Sequence, residues 1–340
     1  MNLIRVKNLQ KHFRVLNRSE GLVGAIKDLF SKDYRIIKAV DNISMEIGER
    51  EIVAFVGPNG AGKSTTIKML TGILEPSGGE LLINNLIPFK NRQRYIRDIG
   101  VVFGQRTSLW WELPVIESFK ILKHIYRINN SCYEQNMGLF NELVDLKRLY
   151  PVPVRNLSLG QRMLCDIVAA FLHDPKIIYL DEPTIGLDVS VKSKIRILIQ
   201  NLNTIKNSTI MLTSHDIADI EKLCKRIILI DKGKIVYDGA IEKFNKIFGS
   251  YRTLRLKTDE TQLPETQQLT VLLHDELKIM DAVTIEKKED GWCNCTINQD
   301  HIQLLPVLNF FLKRYSVSDI SIEDIRLEHV LQKMYEGALP

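Results

Sequence analysis

Nine consecutive residues, Gly57-Pro58-Asn59-Gly60-Ala61-Gly62-Lys63-Ser64-Thr65, constrain this chain more than any other stretch. The apolar run Ile52 to Val56 leads into them and the helix-forming stretch Ser64 to Leu70 follows. Strand, glycine loop and helix in that order are the context a phosphate-binding loop needs. Glycines let successive backbone N–H groups turn inward around a phosphate chain. The helix behind them points its positive dipole end at the same anion. Lys63 is placed to reach the β- and γ-phosphates, and the Ser64 hydroxyl to ligate Mg²⁺.

A second acidic strand follows far downstream. Residues 177 to 180 are apolar and end in Asp181 and Glu182. That fits a buried parallel strand with two carboxylates at its carboxyl end, where open α/β sheets bind ligands. Asp181 is placed to hold Mg²⁺ through water, and Glu182 to take a proton from an attacking water.

Between these landmarks lies Leu157-Ser158-Leu159-Gly160-Gln161-Arg162. It resembles the signature of ABC-type ATPases, with Leu159 in place of the first signature glycine. Gln105 is similar to the family's Q-loop glutamine. Gly186-Leu187-Asp188 is similar to the D-loop, and His215, in a Leu-Thr-Ser-His-Asp segment ending at Asp216, to the switch histidine. Tyr34, five residues before Ala39, is similar to the aromatic that stacks on adenine. The resemblance covers residues 1 to about 244.

The resemblance implies an α/β fold: a P-loop ABC ATPase core, with a mixed sheet plus helical subdomain, followed by a small α+β C-terminal domain. It implies ATP and Mg²⁺ as cofactors. Gly57, Asn59, Gly60, Gly62, Lys63, Ser64 and Thr65 would cradle the phosphates, and Tyr34 would stack on the base. Ser64, Gln105 and Asp181 would serve the metal. Glu182, His215 and Gln105 would serve hydrolysis. Ser158, Gly160, Gln161 and Asp188 would act across a dimer, so two copies would close head to tail around two ATP. Leu159 leaves Ser158 and Gly160 intact, so it bears on rate rather than on activity.

Composition narrows the setting. The 340 residues, 45% hydrophobic, suit two domains with cores of their own. No apolar run approaches the roughly 18–20 residues that span a bilayer, and the N-terminus lacks an apolar signal core. Five cysteines, an odd number, argue against a disulfide framework and for a reducing cytosol. Cys293 and Cys295, two apart, read as one strand face rather than as metal ligands. A net charge of +5 fits docking near an anionic membrane and gives no reason to expect nucleic acid.

The first two strands are expected at about 2–14 and 36–48. Between them, residues 15 to 33 form an insertion in which Leu22, Ile26, Leu29 and Phe30 recur at helical spacing. It reads either as a flap on the core or as a contact to a membrane or membrane partner. A helical subdomain is expected over about 91–175, with a helix starting near Pro114. Trp110, Trp111 and Glu112 are expected to border the face that receives a membrane subunit in this family, with one ring inward and one outward; the alternative is that both rings pack inside the subdomain. The nucleotide-binding domain is expected to span 1–247 and the accessory domain 248–340. In the latter, strands are expected near 254–256, 269–273, 282–285 and 293–297, and helices over 303–315 and 325–335. That domain carries no chemical motif and reads as a sensor, a dimerisation module or a clamp.

Finer phrases, including Leu109 to Glu117 and Ala218 to Cys224, resemble the ATP-binding subunits of ABC-2-type exporters of the daunorubicin-resistance-like group. That implies an ATPase motor at the cytoplasmic face of the cell membrane, joined through residues 105–117 to a separate permease that chooses the cargo. Two other readings stand beside it: an ABC importer ATPase with a regulatory C-terminal domain, and a soluble ABC ATPase that moves no solute.

Overall fold

The computed structural model describes residues 2–16, 34–104, 106–214, 216–248, 251–258, 263–278, 282–287 and 291–324. The chain divides into two compact units, 1–239 and 240–340.

The first unit is built on a six-stranded sheet in the order β5-β6-β7-β3-β8-β9. These strands are β3 (Ile52–Val56), β5 (Ile99–Phe103), β6 (Ile177–Asp181), β7 (Thr209–Thr213), β8 (Arg226–Asp231) and β9 (Lys234–Ala240). From β5 to β8 the pairing is parallel. Val53 to Val56, Ile177 to Leu180 and Ile210 to Met211 are wholly buried. Continuous apolar runs of this kind belong to strands covered on both faces. A second sheet, in the order β2-β1-β4, pairs β1 (Asn2–Leu16) antiparallel with β2 (Tyr34–Gly48) and β4 (Gly78–Ile83). The two long strands each reach two residues further than their alternation suggests.

Helices fill the segments between. They are α1 (Lys63–Leu70), α2 (Arg92–Tyr95), α3 (Val115–Tyr126), α4 (Asn130–Val144), α5 (Leu159–Phe171), α6 (Val189–Lys206) and α7 (Ile217–Leu223). Helix α3 begins at Val115, with Pro114 just before it, where the N–H that proline lacks would have no partner inside the helix. The expected helix over 21–30 lies outside the described residues.

The second unit holds α8 (Ile241–Phe248), β10 (Tyr251–Thr258), α9 (Thr266–Leu277), β11 (Val283–Lys287), β12 (Trp292–Asn298), α10 (Leu304–Arg314) and β13 (Val317–Asp324). Its sheet runs β11-β12-β10-β13 and is antiparallel. From β10 onward the chain reads βαββαβ, the ferredoxin-like arrangement. The division between units falls just ahead of α8. The strand expected at 269–273 is instead part of α9. Leu269 and Leu273 are buried four residues apart while Val271 and Leu272 are exposed, a helical period rather than a strand's. Strand β13 was not expected, and the helix expected over 325–335 lies outside the described residues. Cys293 and Cys295 share the buried face of β12, with sulfurs 3.9 Å apart. Among the described residues no cluster of three or more His, Cys, Asp or Glu could hold a metal.

Candidate nucleotide-binding and hydrolysis site

The carboxyl ends of β5, β6 and β3 open into one groove of about 850 Å³. Asn59, Gly60, Gly62, Lys63, Ser64 and Thr65 line one wall; Gly104, Asp181 and Glu182 line another. Three elements far apart in sequence thus meet where an open α/β sheet binds its ligand.

The loop depends on its glycines. A Cβ on Gly57 would stand 2.0 Å from the carbonyl oxygen of Ile230. Gly62 has φ +110°, and a Cβ there would come within 2.5 Å of the Ala39 carbonyl. Lys63 is buried, and its Nζ donates to the carbonyls of Gly57 (2.6 Å) and Pro58 (3.1 Å). Behind it α1 supplies the first-turn N–H groups that have no partner inside a helix. A cradle with no room for a side chain at Gly57 or Gly62, closed by a buried ammonium and a helix N-terminus, fits a polyphosphate. The Ser64 hydroxyl and the Asp181 carboxylate give a hard oxygen set of the kind Mg²⁺ prefers.

Asp181 and Glu182 are held by a residue the sequence reading passed over. Asp181 lies opposite Thr213 in the parallel register. The Thr213 hydroxyl donates to Asp181 Oδ1 at 2.7 Å and accepts from the Glu182 N–H at 2.9 Å. Glu182 itself has φ +56°, a left-handed conformation that costs a non-glycine residue about 1–2 kcal/mol. Gly104 fits against that bend: its N–H donates to the Asp181 carbonyl at 2.7 Å, and a Cβ on it would lie 2.3 Å from the Glu182 carbonyl. A threonine two residues before His215, and a glycine beside Gln105, were the available signals.

The remaining assigned residues lie elsewhere. Tyr34 is not among those lining the groove; it opens β2 opposite Leu16 and is 50% exposed. Ala39, which does line it, is five residues further along the strand, about 16 Å at the usual strand rise. Ser158, Gly160, Gln161 and Asp188 are also away from the groove wall. Ser158 caps α5: its Oγ accepts from the Gln161 N–H at 3.2 Å, while Gln161 Oε1 accepts from the Ser158 N–H at 2.9 Å. The Gln161 side chain is therefore engaged in the cap. Gly160 rests on α6, since a Cβ there would meet Val191 at 2.6 Å. Asp188 caps α6, and the Val191 N–H, then the Ser190 hydroxyl, hold its carboxyl below the usual range. Gln105 and His215 lie outside the described residues.

The segment after Gln105 is fastened to the signature helix. Asp166 of α5, almost fully buried, accepts at Oδ1 from Thr107 Oγ1 (2.9 Å), the Ser108 N–H (2.8 Å) and Ser108 Oγ (3.0 Å). Arg162, also on α5, places its guanidinium 5.4 Å over the Trp111 ring. Arg155 donates its N–H to the Trp111 carbonyl and pairs with Glu112. Trp110 and Trp111 are 37% and 48% exposed, so both residues reach the surface.

Fold and groove together define a P-loop nucleotide hydrolase with a signature helix. Comparison with known proteins carries this further. The family described as ABC transporter matches residues 40–185. The ABC transporter ATP-binding protein NatA of Bacillus subtilis is 32% identical over 213 residues, 63% of this chain and 86% of that protein. The bacitracin transport ATP-binding protein BcrA of Bacillus licheniformis is 31% identical over 261 residues, 77% of this chain and 81% of that one. A dimeric ATP-binding cassette, solved in a post-hydrolysis state with ADP and Pi, superposes with a TM-score of 0.57 at 26% identity, covering 70% of this chain and 98% of that one. Relatives named for Nod factor export and for methionine import also match. The chain belongs to the ATP-binding proteins of ABC transporters. It is an ATPase subunit whose cofactors are ATP and Mg²⁺.

Proposed function

We propose that this chain is the motor of an ABC-2-type exporter, closing as a homodimer on two ATP and driving a separate permease from the cytoplasmic face of the membrane. The observation that carries the reading is the tie between α5 and the tryptophan pair. Asp166 and Arg162 fasten residues 107–111 to the helix whose N-terminus holds Ser158. A permease resting on exposed Trp110, Trp111 and Glu112 would thereby grip the signature directly. Among the described residues no helix is long and apolar enough to cross a membrane, so the spanning part is assigned to the partner.

In this mechanism the loop from Gly57 to Thr65 orients the phosphates, and Lys63 exchanges its carbonyl acceptors for phosphate oxygens. Ser64, Asp181 and Gln105 would hold Mg²⁺, which would supply neutralisation of phosphate charge. Glu182 takes the proton of the attacking water at its carboxylate, and His215 orients that water. Ser158 and the Gly160 N–H reach the nucleotide of the other copy, so neither copy hydrolyses alone. Tyr34 stacks on adenine. The second unit, 240–340, is an accessory module outside the hydrolysis site.

Import is the second reading, favoured by the relative named for methionine import. The test is to tag the chain in its native cell, solubilise the membranes in mild detergent and identify what co-purifies. An ABC-2-type permease in equal amount supports the exporter. An importer permease with a solute-binding protein shifts the reading to import. A ribosome, nucleic acid or soluble assembly factor, with no membrane protein, overturns both.

A further inference from the structure

One cation in the groove has no task in the mechanism above. Lys63, Lys68 and Arg106 line the groove together with the carboxylates of Asp181 and Glu182. Lys63 is engaged by the carbonyls of Gly57 and Pro58 until a nucleotide displaces them. Lys68 lies in the last turn of α1, about 7.5 Å along the helix from Lys63 and from the N–H groups that face the phosphates. Arg106 is exposed, and its guanidinium forms no hydrogen bond or ion pair among the described residues. Its backbone is nevertheless held on both sides. The Arg106 N–H donates to the Phe103 carbonyl at 3.0 Å, and the Gly104 N–H to the Asp181 carbonyl at 2.7 Å. Thr107 and Ser108, which follow, are bonded to Asp166. A fixed backbone thus carries a side chain with nothing to bind.

Sheet order fixes where that guanidinium starts. Strand β5 stands three strands from β3, about 14 Å across the sheet at the usual spacing. Lys63 follows β3 and Arg106 follows β5, while Asp181, with Glu182 after it, ends β6 between them. A phosphate chain seated in the loop with its terminal group beside Glu182 therefore has Lys63 on one side and leaves the other side to Arg106. We infer that Arg106 is a ligand of the terminal phosphoryl group, supplied by the same copy that holds the nucleotide. A guanidinium suits that group, being planar, permanently charged and able to donate two N–H groups to two phosphate oxygens. As the water oxygen bonds to the terminal phosphorus and the bond to the bridging oxygen breaks, a fixed cation there stabilises the charge on the phosphoryl oxygens. The water proton goes to Glu182, the bridging oxygen leaves with ADP, and Arg106 keeps its own protons throughout. The inference rests on the ATPase identity and not on the choice of permease.

The test compares AMP-PNP, which keeps a third phosphate and is not hydrolysed, with ADP on the purified full chain, with Mg²⁺ and without permease. Arg106→Gln should weaken AMP-PNP binding about tenfold or more and leave ADP binding as in the wild type. It should also lower ATP turnover roughly 10²–10³-fold. Unchanged ADP binding shows that the loop and the fold are intact. Arg106→Lys, which returns the charge without the paired donors, should recover part of both losses. Wild-type AMP-PNP binding and turnover in Arg106→Gln overturns the inference. So does an equal weakening of AMP-PNP and ADP, which would place the contact on a part of the nucleotide that both share. Permease co-purification is untouched by any of these results, so the two readings fail separately.

Discussion

The Thr184 hydroxyl donates to Asp219, a carboxylate only 1% exposed that also receives the buried guanidinium of Arg196. Thr184 stands two residues after Glu182, and Asp219 four after His215. One buried carboxylate thus ties the turn behind β6 to α7 by a hydrogen bond, and α7 to α6 by an ion pair.

Thr184→Val keeps the shape of the side chain and removes the donor. A buried carboxylate oxygen loses a partner, at about 1–3 kcal/mol. Urea unfolding should show that loss, together with a fall in kcat at nearly constant ATP affinity. Thr184→Ser should restore both. If valine and serine behave alike, the hydroxyl does not position the turn.

Glu182→Gln removes the proton acceptor and keeps the volume. Turnover should fall roughly 10²–10⁴-fold, while ATP still binds and two copies remain closed on it. Single-turnover hydrolysis and gel filtration with ATP read the two effects separately. An active variant would remove Glu182 from the role proposed for it.

Gly104→Ala tests the backbone around the same residue. A methyl placed 2.3 Å from the Glu182 carbonyl must push the left-handed turn out of place. Turnover should drop at least about tenfold, corresponding to about 1.4 kcal/mol of barrier, with loop binding of ATP retained. Wild-type turnover would show that the bend at Glu182 is not needed for hydrolysis.

Asp166 makes a pH-dependent prediction. Burial lifts its carboxyl above the ordinary carboxylate range, against the hydrogen bonds of Ser108 and Thr107 and the charge of Arg162, which act the other way. A carboxyl whose native pKa exceeds its unfolded one binds its proton more tightly when folded. It therefore stabilises most at low pH, and the contribution is lost as pH rises through the native value. All three hydrogen bonds end on Oδ1, which asparagine also supplies. Asp166→Asn should be at least as stable as wild type, by a margin that grows as pH rises from the carboxylate range toward neutrality. Asp166→Ala, which strands those donors, should lose about 1–3 kcal/mol for each one left buried. Unfolding curves across that range decide it; an Asn variant that weakens as pH rises, relative to wild type, contradicts the sign.

Trp111→Ala should lower the amount of permease that co-purifies while ATP hydrolysis by the purified chain persists. A complex that assembles normally would move the permease contact elsewhere.

The groove was legible because each of its parts is a local pattern. Glycines at fixed spacing, an apolar strand and two terminal carboxylates announce themselves without tertiary information. Thr213 and Gly104 were not legible, because their roles arise from strands adjacent in space and not in sequence. The Leu269 to Leu273 segment failed for a different reason. Five mostly aliphatic residues suit strand and helix alike, and only the burial of the first and fifth separates the two. Asp166 was missed because a single acid inside an apolar helix gives no sign of the loop it will hold.

Lys63 gathers two loop carbonyls onto its ammonium, and Gly57 is wedged against the backbone of Ile230. Such a loop has little freedom left to lose. Its ordering was completed when the chain folded, so an arriving nucleotide swaps one set of oxygens for another instead of recruiting a floppy side chain. Capture by one copy should then be quick and weakly dependent on temperature, and the slow events of the cycle should lie in the meeting and parting of two copies.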